Sequence, residues 1–274
     1  LADASTHAGQ DAHILVRLVE VPGQPQHQAA IVTLNRPTQR NCVSLAMWKE
    51  LGQIFERLGQ DPAVRAILLT GAGGHFSAGA DISEFATVRA TAEQAVDYEI
   101  AVDACCDAIA NTPKPTLAVV EGFCMGGGCH LAMSCDFRIA APGAQFGIPA
   151  ARLSIVYGVR GTQRLLALVG LAQAKRILYS AQKIGAEEGL RIGFFDQALQ
   201  QPLTAALAFA STMVDNAPLS IAGAKVLLNG LAMGMGTLDD ATVNQVVDRA
   251  VASDDYRDAR QAFVEKRAPV FRGR

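Results

Sequence analysis

Two short apolar runs, VRAILLT (64–70) and TLAVV (116–120), each lead straight into a glycine-rich loop, and this pairing constrains the chain more than any other feature. A run of this length without polar alternation reads as a buried strand. The loop after the first run holds HFSAGADI (75–82), and the segment after the second is GFCMGGGCHLAMSCD (122–136). Glycine lets backbone come close to a ligand, because no Cβ stands between them. A triple glycine opening a helix also leaves N–H groups unpaired at the positive end of the helix dipole. Two such N–H groups from two loops would make an oxyanion hole, and one donor of that kind is worth about 2.7–4 kcal/mol of barrier. Either loop alone also fits tight turns and close helix packing. Neither matches a dinucleotide fingerprint or a phosphate loop, which need G-x-G-x-x-G or a GK[ST] ending.

The same strand-then-helix rhythm extends in both directions. HILVRLV (13–19) and AIVTL (30–34) read as strands around a Pro/Gly turn. A helix is predicted over 45–59, because Met47, Leu51, Ile54, Phe55 and Leu58 share one face and Ser44 suits the N-cap. A polar-faced helix over 91–111 stops before PKP, where proline forbids continuation. Another helix opens near Gly127, DFRIA and QFGIPA read as short extended segments, and helices follow over 161–179 and 186–192. The first dozen residues read as a disordered start. From 202 onward the pattern is helical throughout, broken at AP (217–218) and GMG (234–236). The expected layout is therefore a core over 13–201 and a helical region over 202–274.

With 274 residues, half of them apolar, the chain can bury a large core without staples. A formal net charge of −2 without a charge block argues against a polyanionic partner such as nucleic acid. No apolar run is long enough to span a bilayer, and no signal-peptide pattern opens the chain, so a cytoplasmic location is expected and no membrane partner. Six cysteines (42, 105, 106, 124, 129 and 135) form no C-x-x-C pair, so buried free thiols are expected and no metal site.

Taken together and in this order, NRP…N (35–41), FSAGADI, PKPTLAVVEGFCMGGGCHLAMSCD, GTQRLLALVG (161–170) and AFVEKRAPVF (262–271) resemble the enoyl-CoA hydratase/isomerase (crotonase) family over nearly the whole chain. The resemblance implies an α/β fold, a crotonase-like spiral of ββα units whose helical C-terminal extension completes a homotrimer, often paired into a hexamer. It implies an acyl-CoA substrate and no cofactor beyond its CoA moiety. By the same matching, the N–H groups of Ala80 and Gly127 would hold the thioester oxygen. Arg36 would lie beside the nucleotide part of CoA, and Phe263 and Lys266 would reach the CoA end, often from a neighbouring subunit. The family often carries a lysine where Ser83 stands, so one phosphate contact is expected to be missing.

The chain departs from the family's hydratases at their two glutamates. Ungapped matching puts the first at His130 and the second at Ala150, with the spacing of 20 residues kept but neither carboxylate present. Alanine transfers no proton; histidine could, and a packed, backbone-bonded ring is the plainer alternative. Tyr157, Arg152 and Arg160 fall in the segment expected to line the acyl pocket. Tyr157 stands where family members that decarboxylate methylmalonyl-CoA also carry tyrosine, although Ala80 replaces a histidine those members have. A rim tyrosine bonded to backbone and ion-paired arginines are the plainer readings. Asp81 reads as a turn-holding carboxylate. A pocket without carboxylates but with Arg152, Arg160 and His130 is expected to take acyl groups bearing their own carboxylate. The reaction expected is enolate chemistry other than two-glutamate hydration: decarboxylation, isomerisation or hydrolysis. The alternatives are a family member that binds acyl-CoA without turnover, and a hydratase using His130 with a second group.

Overall fold

The computed structural model describes residues 12–153, 155–233 and 239–274, so both the first dozen residues but one and the GMG break lie outside the described residues. The chain starts with a hairpin of β1 (Ile14–Val21) and β2 (Gln24–Leu34), turning at Pro22-Gly23, where Gly23 has a φ of 76°. β2 begins earlier than its apolar run, because the polar stretch Gln24–Gln28 pairs back onto β1. Helix α1 (Leu45–Gln60) crosses to β3 (Val64–Gly71), and the short α2 (Phe85–Val88) and long α3 (Ala92–Ala110) cross to β4 (Thr116–Val120). Beyond lie β5 (Phe123–Met125), α4 (Gly127–Ser134), β6 (Phe137–Ala140) and β7 (Gln145–Gly147). Next come α5 (Val159–Ser180), β8 (Ile184–Gly185), α6 (Ala186–Arg191) and β9 (Gln197–Ala198). The end is helical: α7 (Pro202–Val214), α8 (Pro218–Ala232), α9 (Asp240–Val251) and α10 (Asp254–Glu265).

A six-stranded sheet runs β1-β2-β3-β4-β6-β9, parallel except for the hairpin, and a small sheet runs β5-β7-β8. Successive units place one strand in each sheet. β4 and β6 enter the large sheet, while the β5 and β7 that follow them pair with each other in the small one. The loop after β3 joins the same pattern, since Ser77 bridges Cys124. Chain that returns with a strand for each sheet must pass the gap between them, which is where the glycine-rich loops lie.

Sequence accounts for the helix ends. Ser44 accepts from the Met47 N–H at 3.3 Å, and all five apolar residues of the α1 stripe are buried. Such a cap is worth about 1 kcal/mol. Thr91 and Gln94 close a capping box on α3. α5 is longer than the sequence reading and is interrupted at Gly170, whose φ of 72° is non-helical. All six cysteines are free thiols.

The C-terminal region begins as part of the core. Leu203, Leu207, Phe209 and Met213 of α7 pack, with buried Ala206, Ala210 and Val214, on the sheet face opposite α1 and α3. α7 is thus a layer of the core. α8 is anchored too: buried Lys225 donates to the Lys114 carbonyl at 3.0 Å and pairs with Asp136 at 2.9 Å. The apolar side chains left exposed there include Leu228 and Leu231 on α8 and Val247 and Val251 on α9.

Candidate active site

The loop after β3 is held by side chains in addition to its backbone bonds to β5 and the segment between β4 and β5. Asn41 is fully buried and donates to the carbonyls of Ala72 (2.8 Å) and His75 (2.7 Å). Ser77 Oγ donates to the Asn41 carbonyl at 2.7 Å and accepts from the Gly79 N–H at 3.0 Å. Gly79 then takes a φ of 96°, and a Cβ there would stand 2.6 Å from the Met125 carbonyl oxygen, so only glycine lets the two loops meet. Gly128 is equally confined, because its Cβ would lie 2.8 Å from the Ser77 carbonyl oxygen. The result is that the Ala80 N–H and the Gly127 N–H come together. A Cβ on Gly127 would stand 3.2 Å from Ala80 N. Among the described residues neither N–H has an acceptor within the chain. Gly127 is the first residue of α4, so the positive end of that helix adds to the same point.

Both amides line a cavity of about 560 Å³. Its walls are mostly apolar, with Trp48, Val102, Ile148, Ala150 and Ile155 among them. Trp48 is fixed by donating its indole N–H to the Tyr98 hydroxyl at 3.0 Å. This volume suits an elongated small-molecule chain, in the range of ligand pockets generally.

The other residues singled out from sequence take definite places. His130 is buried on α4, with Nε2 3.4 Å from Arg164 Nη1 and its ring tilted against Tyr157 at 6.0 Å. Burial, then the charges of Arg164 and Arg160, push its pKa down to about 3. The ring is therefore neutral at ordinary pH, which speaks against proton delivery from an imidazolium. Tyr157 lines the cavity and donates its hydroxyl to the Gly126 carbonyl at 3.2 Å, and burial pushes its pKa well above the usual phenol value. It braces the peptide next to the Gly127 donor. Gly161 leaves room for this pair, since a Cβ there would lie 2.7 Å from the Tyr157 ring.

Arg36 does not offer a free guanidinium. It donates to the Cys42 carbonyl (3.0 Å) and pairs with Asp81 (2.9 Å), clamping the two loops together. Asp81 also accepts from Ser83, and that bond together with Arg36 holds its carboxyl below the usual range. Arg152 lines the cavity, but Arg160 turns away to Asp103 (3.5 Å) and Asp107 (2.7 Å). Lys266 is exposed just past the end of α10 and does not line the cavity of its own chain, while the side chain of Phe263 lies outside the described residues. Ala150 lines the cavity. The expectation of a pocket without carboxylates is corrected: Asp81 and Glu99 both line it. Glu99 and Arg164 were missed. The signal was present, since Glu99, Asp103 and Asp107 recur every four residues on one face of a helix read only as polar. Among the described residues no cluster of three metal-ligating side chains gathers, and no helix is long and apolar enough to cross a membrane.

Comparison with known proteins identifies the family and the fold. The profile of the enoyl-CoA hydratase/isomerase family matches residues 25–274, and the chain belongs to that family. It is 36% identical over 248 residues to a short-chain-enoyl-CoA hydratase of Clostridium acetobutylicum, covering 89% of this chain and 94% of that protein. It is 34% identical over 254 residues to a crotonyl-CoA hydratase of Syntrophomonas wolfei, covering 90% of this chain and 96% of that protein. The crystal structure of an enoyl-CoA hydratase/carnithine racemase from Magnetospirillum magneticum superposes with a TM-score of 0.85 at 30% identity, covering 96% of each chain. The fold is thus the crotonase-like α/β fold, and the chain is an acyl-CoA-processing member of that superfamily.

Proposed function

We propose that this chain binds an acyl-CoA thioester in the cavity and lowers the energy of its enolate, with the Ala80 and Gly127 N–H groups on the thioester oxygen. The observation that carries this reading is the meeting of two acceptor-free amides at an apolar cavity of about 560 Å³. Charge that develops on the oxygen meets dipoles already fixed in place, and each donor is worth about 2.7–4 kcal/mol in such a site. The reaction is enolate chemistry other than hydration by two glutamates, since His130 and Ala150 stand at the matched positions. The mostly apolar wall, the presence of Asp81 and Glu99, and the turning away of Arg160 favour a neutral aliphatic acyl group over a carboxylate-bearing one. In this reading the CoA moiety is the only cofactor, the chain works in the cytoplasm, and exposed Leu228, Leu231, Val247 and Val251 pack between copies in a trimer or hexamer.

The test is a panel of acyl-CoA thioesters in D₂O, followed by NMR for turnover and for deuterium at the α-carbon, with affinity measured by calorimetry. Exchange or turnover with at least one neutral thioester is expected. Binding without either across the panel would leave a non-catalytic acyl-CoA binder and overturn the reading.

A further inference from the structure

Helix α3 presents Glu99, Asp103 and Asp107 on one face toward the first turns of α5. Two guanidiniums meet two of these three carboxylates. Arg160 takes Asp103 and Asp107, and Arg164 takes Asp107 at 2.9 Å. Glu99, at the cavity end of the row, has no hydrogen-bond or ion-pair partner among the described residues. It is half-buried, and its Oε1 lies so close over Gly158 that a side chain there would collide with it. Its carboxylate therefore sits in the cavity wall between α3 and the Tyr157-Gly158 segment.

The other acids and proton carriers on the cavity each have a partner in the fold, Cys42 included, whose Sγ accepts from Arg36. Asp81 holds Arg36 and Ser83, Tyr157 donates to Gly126, Tyr98 accepts from Trp48, and His130 is neutral beside Arg164. We propose that Glu99 is the group that moves the proton to and from the acyl chain, from a helix that carries neither matched glutamate position. The assignment rests on the enolate reading above.

Burial raises the Glu99 pKa first, and the neighbouring Asp103 raises it further, while Arg89 opposes them. Tyr98 and Tyr157 face the same space as neutral phenols. A single carboxylate with a raised pKa suits a proton shift that consumes no water. With a 3-enoyl thioester, Glu99 takes a proton from C2, and the electrons of that C–H bond pass into a dienolate whose oxygen lies on the two amides. The neutral Glu99 then returns the proton to C4, the double bond moves to C2–C3, and the carboxylate is restored. Nothing is oxidised or reduced, and no co-reactant is needed.

The experiment uses the full chain, trans-3-hexenoyl-CoA and D₂O. The unmodified protein should form the 2-enoyl thioester. Its rate should rise with pH through the raised Glu99 pKa and then level, because the base must be ionised to act. Glu99→Gln should lose roughly 10²–10⁴-fold in rate while its affinity for the saturated hexanoyl-CoA stays within a few-fold, and the rising limb should vanish. Glu99→Asp should keep part of the rate and move the limb. If Glu99→Gln turns over within a few-fold of an active parent, or loses rate only in step with thioester affinity, Glu99 is not the proton carrier and the enolate reading survives. If the unmodified protein neither isomerises the ester nor exchanges its C2 protons, both fall.

Discussion

The two walls of the cavity are built on different principles. One wall is backbone: Ala80 and Gly127 present N–H groups from loops locked by Asn41, Ser77 and the Arg36–Asp81 pair. The other is side chain: Ala150, Tyr157 and Glu99 on α3 and on the segment that links β7 to α5. That segment is loosely tied, with Ile155 N donating to the Ala150 carbonyl at 3.1 Å and Val156 93% exposed. A donor made of peptide groups survives almost any change of neighbouring side chain, whereas a proton carrier is lost or moved by one substitution. Under the proposed function, this contrast is what would let a chain keep an enolate-stabilising device without the usual carboxylates.

The largest effect is expected on the backbone wall. A Cβ at 127 would stand 3.0 Å from the Trp48 ring as well as 3.2 Å from Ala80 N, so Gly127→Ala should spoil the meeting of the two donors. Turnover of any active thioester should fall at least 10²-fold, the cost of about one donor, with the melting temperature little changed. Unaltered kcat would mean that the thioester oxygen binds elsewhere, and the division into two walls would lose its chemical meaning.

This division also sets what sequence could reveal. The backbone wall was legible, because a donor that needs positive φ or close approach must be written in glycine, as at Gly79 and Gly128. The buried strands and the α1 stripe were legible for the same reason, since one physical demand fixes the residue type. The side-chain wall was not. Arg160 and Arg164 differ by one helical turn, yet one meets solvent and the other touches His130, and only packing decides which. The apolar residues of α7 carried no mark of whether they face the sheet or another subunit. Arg36 matched its motif but spends its guanidinium on Asp81.

The next effect is expected from rebuilding the side-chain wall. Crotonyl-CoA hydration by the unmodified protein should be slow. His130→Glu with Ala150→Glu should raise it by roughly 10²-fold, the low end of acid–base assistance. The carboxylate introduced at 130 falls beside Arg164, which favours its ionised form. Rapid hydration by the unmodified protein would show that the wall already holds a competent pair, and the matched positions would lose their importance.

A smaller effect concerns His130 as part of the frame. Its pKa is about 3 in the fold against 6.5 when free, so between these values the unfolded chain binds the extra proton. Stability should therefore be full above about pH 6.5 and decline as pH falls toward 3, by at most about 1.4 kcal/mol per pH unit from this group. Urea titrations from pH 7 to 4 should show the decline, and His130→Gln should flatten it. An identical slope in both proteins would mean that the buried ring is not what limits acid stability.

The smallest effect returns to the backbone wall, at its rim. Ser83 is exposed and lines the cavity, at the position where the family resemblance leads to the expectation of a lysine. Ser83→Lys would add a cation where a CoA phosphate is expected, and an exposed pair of this kind is worth about 0.2–1 kcal/mol. It would also remove the 2.6 Å bond from Ser83 Oγ to Asp81, leaving that carboxylate to Arg36. The balance should be a few-fold tighter binding of CoA at low ionic strength, fading as added salt screens the rim. Calorimetry at two salt concentrations measures both parts. A gain that persists in high salt would point to a buried contact rather than a rim charge. No gain at low salt would place the phosphates away from Ser83, and with them the direction in which the thioester enters between the two walls.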